Sequence, residues 1–118
     1  MWLVVIMFYY NIEYRENILF IRLIGDLNKK NINSLDEEIK NIIYNLGIYN
    51  IVFNFAELNK IDMYSSNLII DWYNLIKQRK GVSLVCGMHN KMRKNTLLSN
   101  MNEINNELCA IRVINWNN

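Results

Sequence analysis

"NKIDMYSSNLIIDW", Asn59–Trp72, starts as the end of a strand and finishes as the start of an amphipathic helix. Just upstream, "IVFNF" (Ile51–Phe55) is nearly continuous in apolar residues, as a parallel-sheet strand covered on both faces requires. Downstream, Leu68, Trp72, Leu75 and Ile76 share one helical stripe. Lys77, Arg79 and Lys80 then fall in the last turn, where they complement the helix dipole, with Gly81 just beyond. Asp62, Tyr64, Ser65 and Ser66 crowd the turn between strand and helix. A strand, a polar elbow and a helix in this order are the unit of an α/β fold, and the carboxyl end of such a strand is where ligands and partners gather.

Working outward, Tyr9–Glu13 and Ile18–Ile24 are β-rich runs separated by Tyr14–Asn17, and they pair as two strands, the first antiparallel. After the polar loop Asp26–Asn33, Ser34-Leu35-Asp36-Glu37 has the form of a capping box, which predicts a helix start. Leu35, Ile39, Ile42, Ile43 and Leu46 make its apolar stripe, and Gly47 supplies the left-handed residue that closes it. Val82–Cys86 reads as a further buried strand, Asn90–Leu98 as a third helix carrying Met92, Leu97 and Leu98, and Ala110–Ile114 as a last strand. The expected order is ββαβαβαβ: a mixed, mostly parallel sheet flanked by helices.

With 118 residues, 52% hydrophobic and 20% charged, the chain has apolar mass for one compact domain spanning 1–118. A net charge of +2 is too small for a dedicated nucleic-acid binder. The opening "MWLVVIMF" falls short of the roughly 18 apolar residues a membrane span needs and lacks the features of a signal peptide. Residues 1–8 are either an N-terminal extension or the start of the first strand, packed on the sheet edge or on a second copy in a homodimer.

An enzyme would need a base, a nucleophile and an oxyanion site in mutual reach. The one histidine, His89, follows Cys86 closely, but both have ordinary structural readings: a thiol in a strand's apolar run and a residue at a helix start. Cys86 and Cys109 lie in strand-like apolar contexts, with no second thiol or histidine at metal-ligand spacing, and read as reduced core residues. No glycine-rich phosphate cradle follows a strand. The expectation is a protein without catalytic residues, metal or cofactor. At the elbow, a bland reading has Ser65 or Ser66 capping the second helix while Asp62 satisfies amides in the turn; the alternative is a partner-facing surface.

"ILFIRLIGDLN" (Ile18–Asn28), "NIVFNFAELNKID" (Asn50–Asp62) and "YNLIKQRKGVSLVC" (Tyr73–Cys86) together resemble the STAS domain of bacterial anti-sigma factor antagonists, over roughly Tyr9 to Leu98. That family has a strand ending in Gly-Glu/Asp-Leu-Asp, matched by Gly25-Asp26-Leu27-Asn28, and a later strand ending in Asp-Ser-Ser/Thr-Gly at the start of the second helix. The resemblance implies partner switching. The unphosphorylated antagonist binds an anti-sigma factor that is itself a serine protein kinase, and phosphorylation of the first serine after the aspartate breaks the complex by placing about −1.5 to −2 charges in the docking surface.

Aligned without gaps, Asp62 matches the family aspartate, Met63 the phosphorylated serine, Tyr64 the following Ser/Thr and Ser65 the glycine. Methionine cannot accept a phosphate, which leaves Ser65 first and Ser66 second as candidate acceptors. Asn28 replaces the family aspartate, and the chain ends soon after the expected final strand, so the family's last helix is expected to be shortened or absent. The reading is a divergent, cytoplasmic STAS-like domain that binds protein through Asp26, Asn28, Asp62, Met63, Tyr64, Ser65, Ser66 and Asn67. The alternatives are a STAS accessory subunit of a membrane transporter and a stressosome-like structural module.

Overall fold

The computed structural model of the protein describes residues 8–116; the expectation concerning the N-terminal segment lies outside them except at Phe8. Strands β1 (Phe8–Arg15) and β2 (Ile18–Leu27) form a hairpin, followed by α1 (Ile32–Leu46), β3 (Asn50–Ile61), α2 (Met63–Gln78), β4 (Val82–Cys86), the single turn α3 (Asn90–Arg93), a 3-10 turn (Leu98–Asn100) and α4 (Glu107–Trp116). The sheet order is β1-β2-β3-β4, with β1 antiparallel to β2 and β2, β3 and β4 parallel. The mixed, mostly parallel α/β sheet read from the sequence is therefore present.

The sequence also placed most strands. The hairpin turn is tighter than expected: Arg15 pairs with Ile18, and only Glu16 and Asn17, both at positive φ, lie between them. Both β2 and β3 run further than their apolar runs, so that Leu27 pairs with Ile61 and the two strands end side by side. That pairing brings the loop after β2 against the elbow after β3.

The sheet buries a core on each face. On one side Leu19, Ile21, Phe53 and Phe55 pack against Leu35, Ile39 and Ile43 of α1 and Ile69, Trp72 and Ile76 of α2. Trp72 stacks on Phe53, and its indole N–H donates to the Asp36 carboxylate at 2.6 Å, tying α2 to α1. On the other side Ile18, Phe20, Val52, Leu84 and Cys86 are covered by Ala110 and Ile114 of α4.

The last element differs from expectation. Ala110–Ile114 belongs to a helix, the order is ββαβαβαα, and the terminal helix expected to be shortened or absent spans ten residues. The chain does run alongside β4, but only for one bridge, Val85 to Glu103, before Asn106 accepts the Cys109 amide at 2.8 Å and turns it into helix. Ala110 and Ile114 are four residues apart, so a helix puts both onto the sheet. The β-branched residues Ile111, Val113 and Ile114 made the run look like a strand. Cys109 accordingly sits half-buried on α4 rather than in the core, and both cysteines are free.

A polar lock holds α4 at its N-terminal end. The Arg22 guanidinium donates twice to Glu107, from Nε at 2.8 Å and Nη2 at 2.6 Å, and also to Glu13 and Asn11 on β1. Asn54 of β3 adds a third donor to Glu107 at 2.8 Å. Arginine bonding first, opposed by burial, holds the Glu107 carboxyl below its ordinary value.

Helix ends follow the sequence in part. Gly47 is left-handed (φ 61°) and closes α1, as read. The expected capping box does not start that helix: α1 begins at Ile32, with Asn31 as its cap residue and Ser34 already inside. Ile32 is fully buried, and drawing it into the core requires the earlier start. At the end of α2 the left-handed residue is Lys80 (φ 65°), whereas Gly81 is needed for space, since a Cβ there would lie 1.7 Å from the Tyr49 carbonyl oxygen. The third helix is a single turn, not the expected run to Leu98; Met92 and Leu98 both reach the core.

Candidate functional site

The elbow is organised by Asp62. Held extended (φ −86°, ψ 170°), it caps α2 by accepting the Ser65 amide at 2.8 Å, while its other carboxylate oxygen accepts the Lys29 amide at 2.9 Å. Its own amide donates to the Leu27 carbonyl at 3.2 Å. One side chain thus fastens the loop after β2 to the start of α2. Burial raises its pKa, but the facing Ser65 hydroxyl and the amides of Ser65 and Lys29 outweigh burial, and the carboxyl titrates below the ordinary aspartate value.

The cap is therefore Asp62, not Ser65 or Ser66. Both serines are 0% exposed, inside the first turn of α2. Ser66 Oγ donates to the Asp62 carbonyl at 2.9 Å and accepts from Asn95 Nδ2 at 3.0 Å. Ser65 Oγ faces the Asp62 carboxylate without reaching hydrogen-bond geometry, and it is the buried side-chain oxygen without a hydrogen-bond partner among the described residues. The two hydroxyls read as candidate phosphoacceptors point inward, where a kinase cannot reach them in this conformation.

The outer surface of the elbow belongs to their neighbours. Met63 is 54% and Tyr64 41% exposed, and Asn67 follows one turn later with its amide on the Met63 carbonyl at 3.1 Å. Tyr64 donates to Asn33 Oδ1 at 2.9 Å, and Lys29 Nζ lies 5.5 Å from its ring centroid. Asp26 accepts from Asn59 at 2.9 Å, and the Asn28 side chain accepts the Lys30 amide at 2.9 Å. The structure thus brings Asp26, Asn28, Asp62, Met63, Tyr64 and Asn67 onto one surface at the carboxyl ends of β2 and β3. Ser65 and Ser66 support it from within. Lys29 and Asn33, within the loop read as polar, contribute directly through Tyr64; Asn95 carries no sequence signal, because only the path of the chain after α3 brings it under Ser66.

The Cys86 and His89 pair does not assemble. Burial first, with the Glu107 carboxylate adding to it, pushes the Cys86 thiol up to about 11, opposite to what a nucleophile needs. His89 Nε2 lies 3.0 Å from the Leu58 carbonyl oxygen, and no hydrogen bond joins the two side chains among the described residues. No helix of the described residues is long and apolar enough to cross a membrane.

Comparison with known proteins places this geometry in a family. The anti-sigma factor antagonist SpoIIAA in its unphosphorylated form superimposes with a TM-score of 0.77 at 19% identity, covering 91% of this chain and 98% of that one. SpoIIAA of Bacillus in its phosphorylated form gives 0.73 at 21% identity, over 89% and 99%. An anti-sigma factor antagonist from Mycobacterium paratuberculosis gives 0.74 at 9% identity, over 92% and 95%. At such identities the superpositions establish a shared fold. The sequence profile of the STAS domain matches residues 9–110, most of the chain, and the protein belongs to the STAS domain family.

Proposed function

We propose that this protein is a non-catalytic regulatory domain that binds a serine-kinase anti-sigma factor through the loop after β2, the elbow Asp62–Asn67 and the adjoining face of α2, and that it binds constitutively. The observation that carries this reading is the exposed thioether of Met63 at the first position of α2, with Ser65 and Ser66 buried behind it. In the ungapped family alignment Met63 stands where the phosphorylated serine belongs. A methionine there keeps an apolar, adaptable contact at the centre of the surface and removes the hydroxyl through which a kinase would dissolve the complex.

The test is to mix the protein with the serine-kinase anti-sigma factor of its own genome, in ADP and then in ATP, and to follow complex size and intact mass. The expected result is a complex that persists in ATP with no added mass, whereas Met63→Ser gains one phosphate and dissociates. A wild-type chain that takes up phosphate and dissociates would refute the constitutive reading, and would require the first turn of α2 to open and present Ser65 or Ser66. Absence of any complex would refute the partner and favour a transporter-associated or stressosome-like role.

A further inference from the structure

At the pole of the sheet opposite the elbow, a cavity of about 350 Å³ opens between the β1–β2 turn and the amino ends of β3 and β4. The buried Asn50 lies in its lining, donating to the Asn17 carbonyl at 3.1 Å and accepting the Val82 amide at 3.3 Å, so that one side chain ties the three elements together. Tyr14, at the end of β1, and Tyr49, just before β3, add exposed rings. Of the chain's seven tyrosines these are the two whose side chains meet no partner among the described residues. Tyr10 bonds Glu38, Tyr64 bonds Asn33, Tyr73 accepts the Asn102 amide, Arg79 lies over Tyr44, and Tyr9 is engaged as well. Lys80 completes the lining from the left-handed position after α2 (φ 65°), where glycine is the ordinary residue. Its side chain is exposed and has no ion-pair partner, and no carboxylate lines the cavity, among the described residues.

We infer that this cavity is a binding site for a small aromatic carboxylate. The ligand's ring lies against Tyr14 and Tyr49, in the offset or edge-on contact that aromatic quadrupoles favour, and Val82 adds apolar wall. Its carboxylate meets the Lys80 ammonium in a charge-assisted hydrogen bond. The Asn17 side-chain amide, which bonds nothing else among the described residues, is a further donor in the lining. Both halves of the site are needed to satisfy it: a bare anion leaves the two rings uncovered, and a neutral aromatic leaves the ammonium unpaired. The volume lies in the range of small-molecule pockets, which admits a ligand of metabolite size rather than a folded partner. Because Asp62 and Met63 stand at the other pole, the inference is independent of which protein the elbow binds.

The experiment is a titration of the purified protein with 2-naphthoate, 2-naphthamide and acetate at constant ionic strength, read by amide NMR. Saturable shifts at Tyr14, Asn17, Tyr49, Asn50, Lys80 and Val82 are expected with 2-naphthoate, with binding about tenfold weaker for the uncharged amide and none for acetate. Lys80→Gln should erase the preference for acid over amide, and Tyr49→Ala should weaken both ligands by about tenfold. Both side chains are exposed, and an unchanged melting temperature of the variants verifies the fold. Shifts that are absent at these residues, that do not saturate, that acetate reproduces, or that survive unaltered in both variants would mean nonspecific association only and would overturn the site.

Discussion

Replacing Glu107 with alanine should detach the start of α4 from the sheet, and the structure sets the size of the effect. The carboxylate accepts two hydrogen bonds from Arg22 and one from Asn54, and its side chain is 17% exposed against 27% for Arg22. An exposed ion pair is worth up to about 1 kcal/mol, while removing one partner of a buried pair costs about 3–5 kcal/mol. Arg22 retains Glu13 and Asn11 after the substitution, so the guanidinium is not left unpaired. We therefore expect a loss of about 2–3 kcal/mol in urea unfolding, or roughly 10 °C in melting temperature for a domain of this size. A double-mutant cycle with Arg22→Ala should give a coupling of about 1 kcal/mol or more.

The pH dependence supplies a second readout of the same lock. Because the folded pKa of Glu107 is lowered, its contribution is present above the ordinary glutamate value near 4.5 and is lost as pH falls through the folded pKa. The difference between wild type and Glu107→Ala should accordingly be constant near neutral pH and shrink in acid below that value. A loss under about 0.5 kcal/mol, with no coupling to Arg22, would refute the argument and leave α4 held by Ala110 and Ile114 alone.

Four further substitutions separate the roles at the elbow and the turns. Ser66→Ala removes a donor and an acceptor contact and should cost about 1–2 kcal/mol, whereas Ser65→Ala, which removes a hydroxyl without a hydrogen bond, should change stability by less than about 1 kcal/mol; chemical denaturation decides between them. Asp62→Ala should cost about 1–2 kcal/mol through the lost cap, and amide exchange should accelerate at both Ser65 and Lys29, the two amides it accepts. Gly81→Ala should cost more than about 3 kcal/mol or abolish soluble expression, because its Cβ would strike the Tyr49 carbonyl; a melting temperature within a few degrees of wild type would contradict the close approach.

The sequence by itself determined the sheet and its two main helices. Ile51–Phe55 and Val82–Cys86 are apolar on both faces because helices cover both, and that demand is written locally, residue by residue. It also drew attention to the elbow, since Asp62 to Asn67 follow a buried strand, whereas the family resemblance rested on Ile18–Asn28, Asn50–Asp62 and Tyr73–Cys86. What it could not decide were matters in which a distant segment casts the deciding vote. Ala110–Ile114 satisfies both strand and helix patterns, and only the open second face of the sheet, with Arg22 waiting for Glu107, makes it a helix. Ser34 and Glu37 match a capping box, yet burial of Ile32 starts α1 earlier.

The elbow shows the same division. Sequence spacing put a methionine, a tyrosine and two serines in one turn, but which of them turns outward depends on the helical phase that begins at the cap. Asp62 sets that phase by holding the Ser65 and Lys29 amides together, and the pairing of Leu27 with Ile61 is what brings Lys29 within reach. With the phase fixed, Met63 and Tyr64 turn to solvent and Ser65 and Ser66 turn to the core. Side-chain identity is local, whereas exposure is a property of the packed surroundings, and so the chemistry of the surface was legible in the chain while its orientation was settled only in three dimensions.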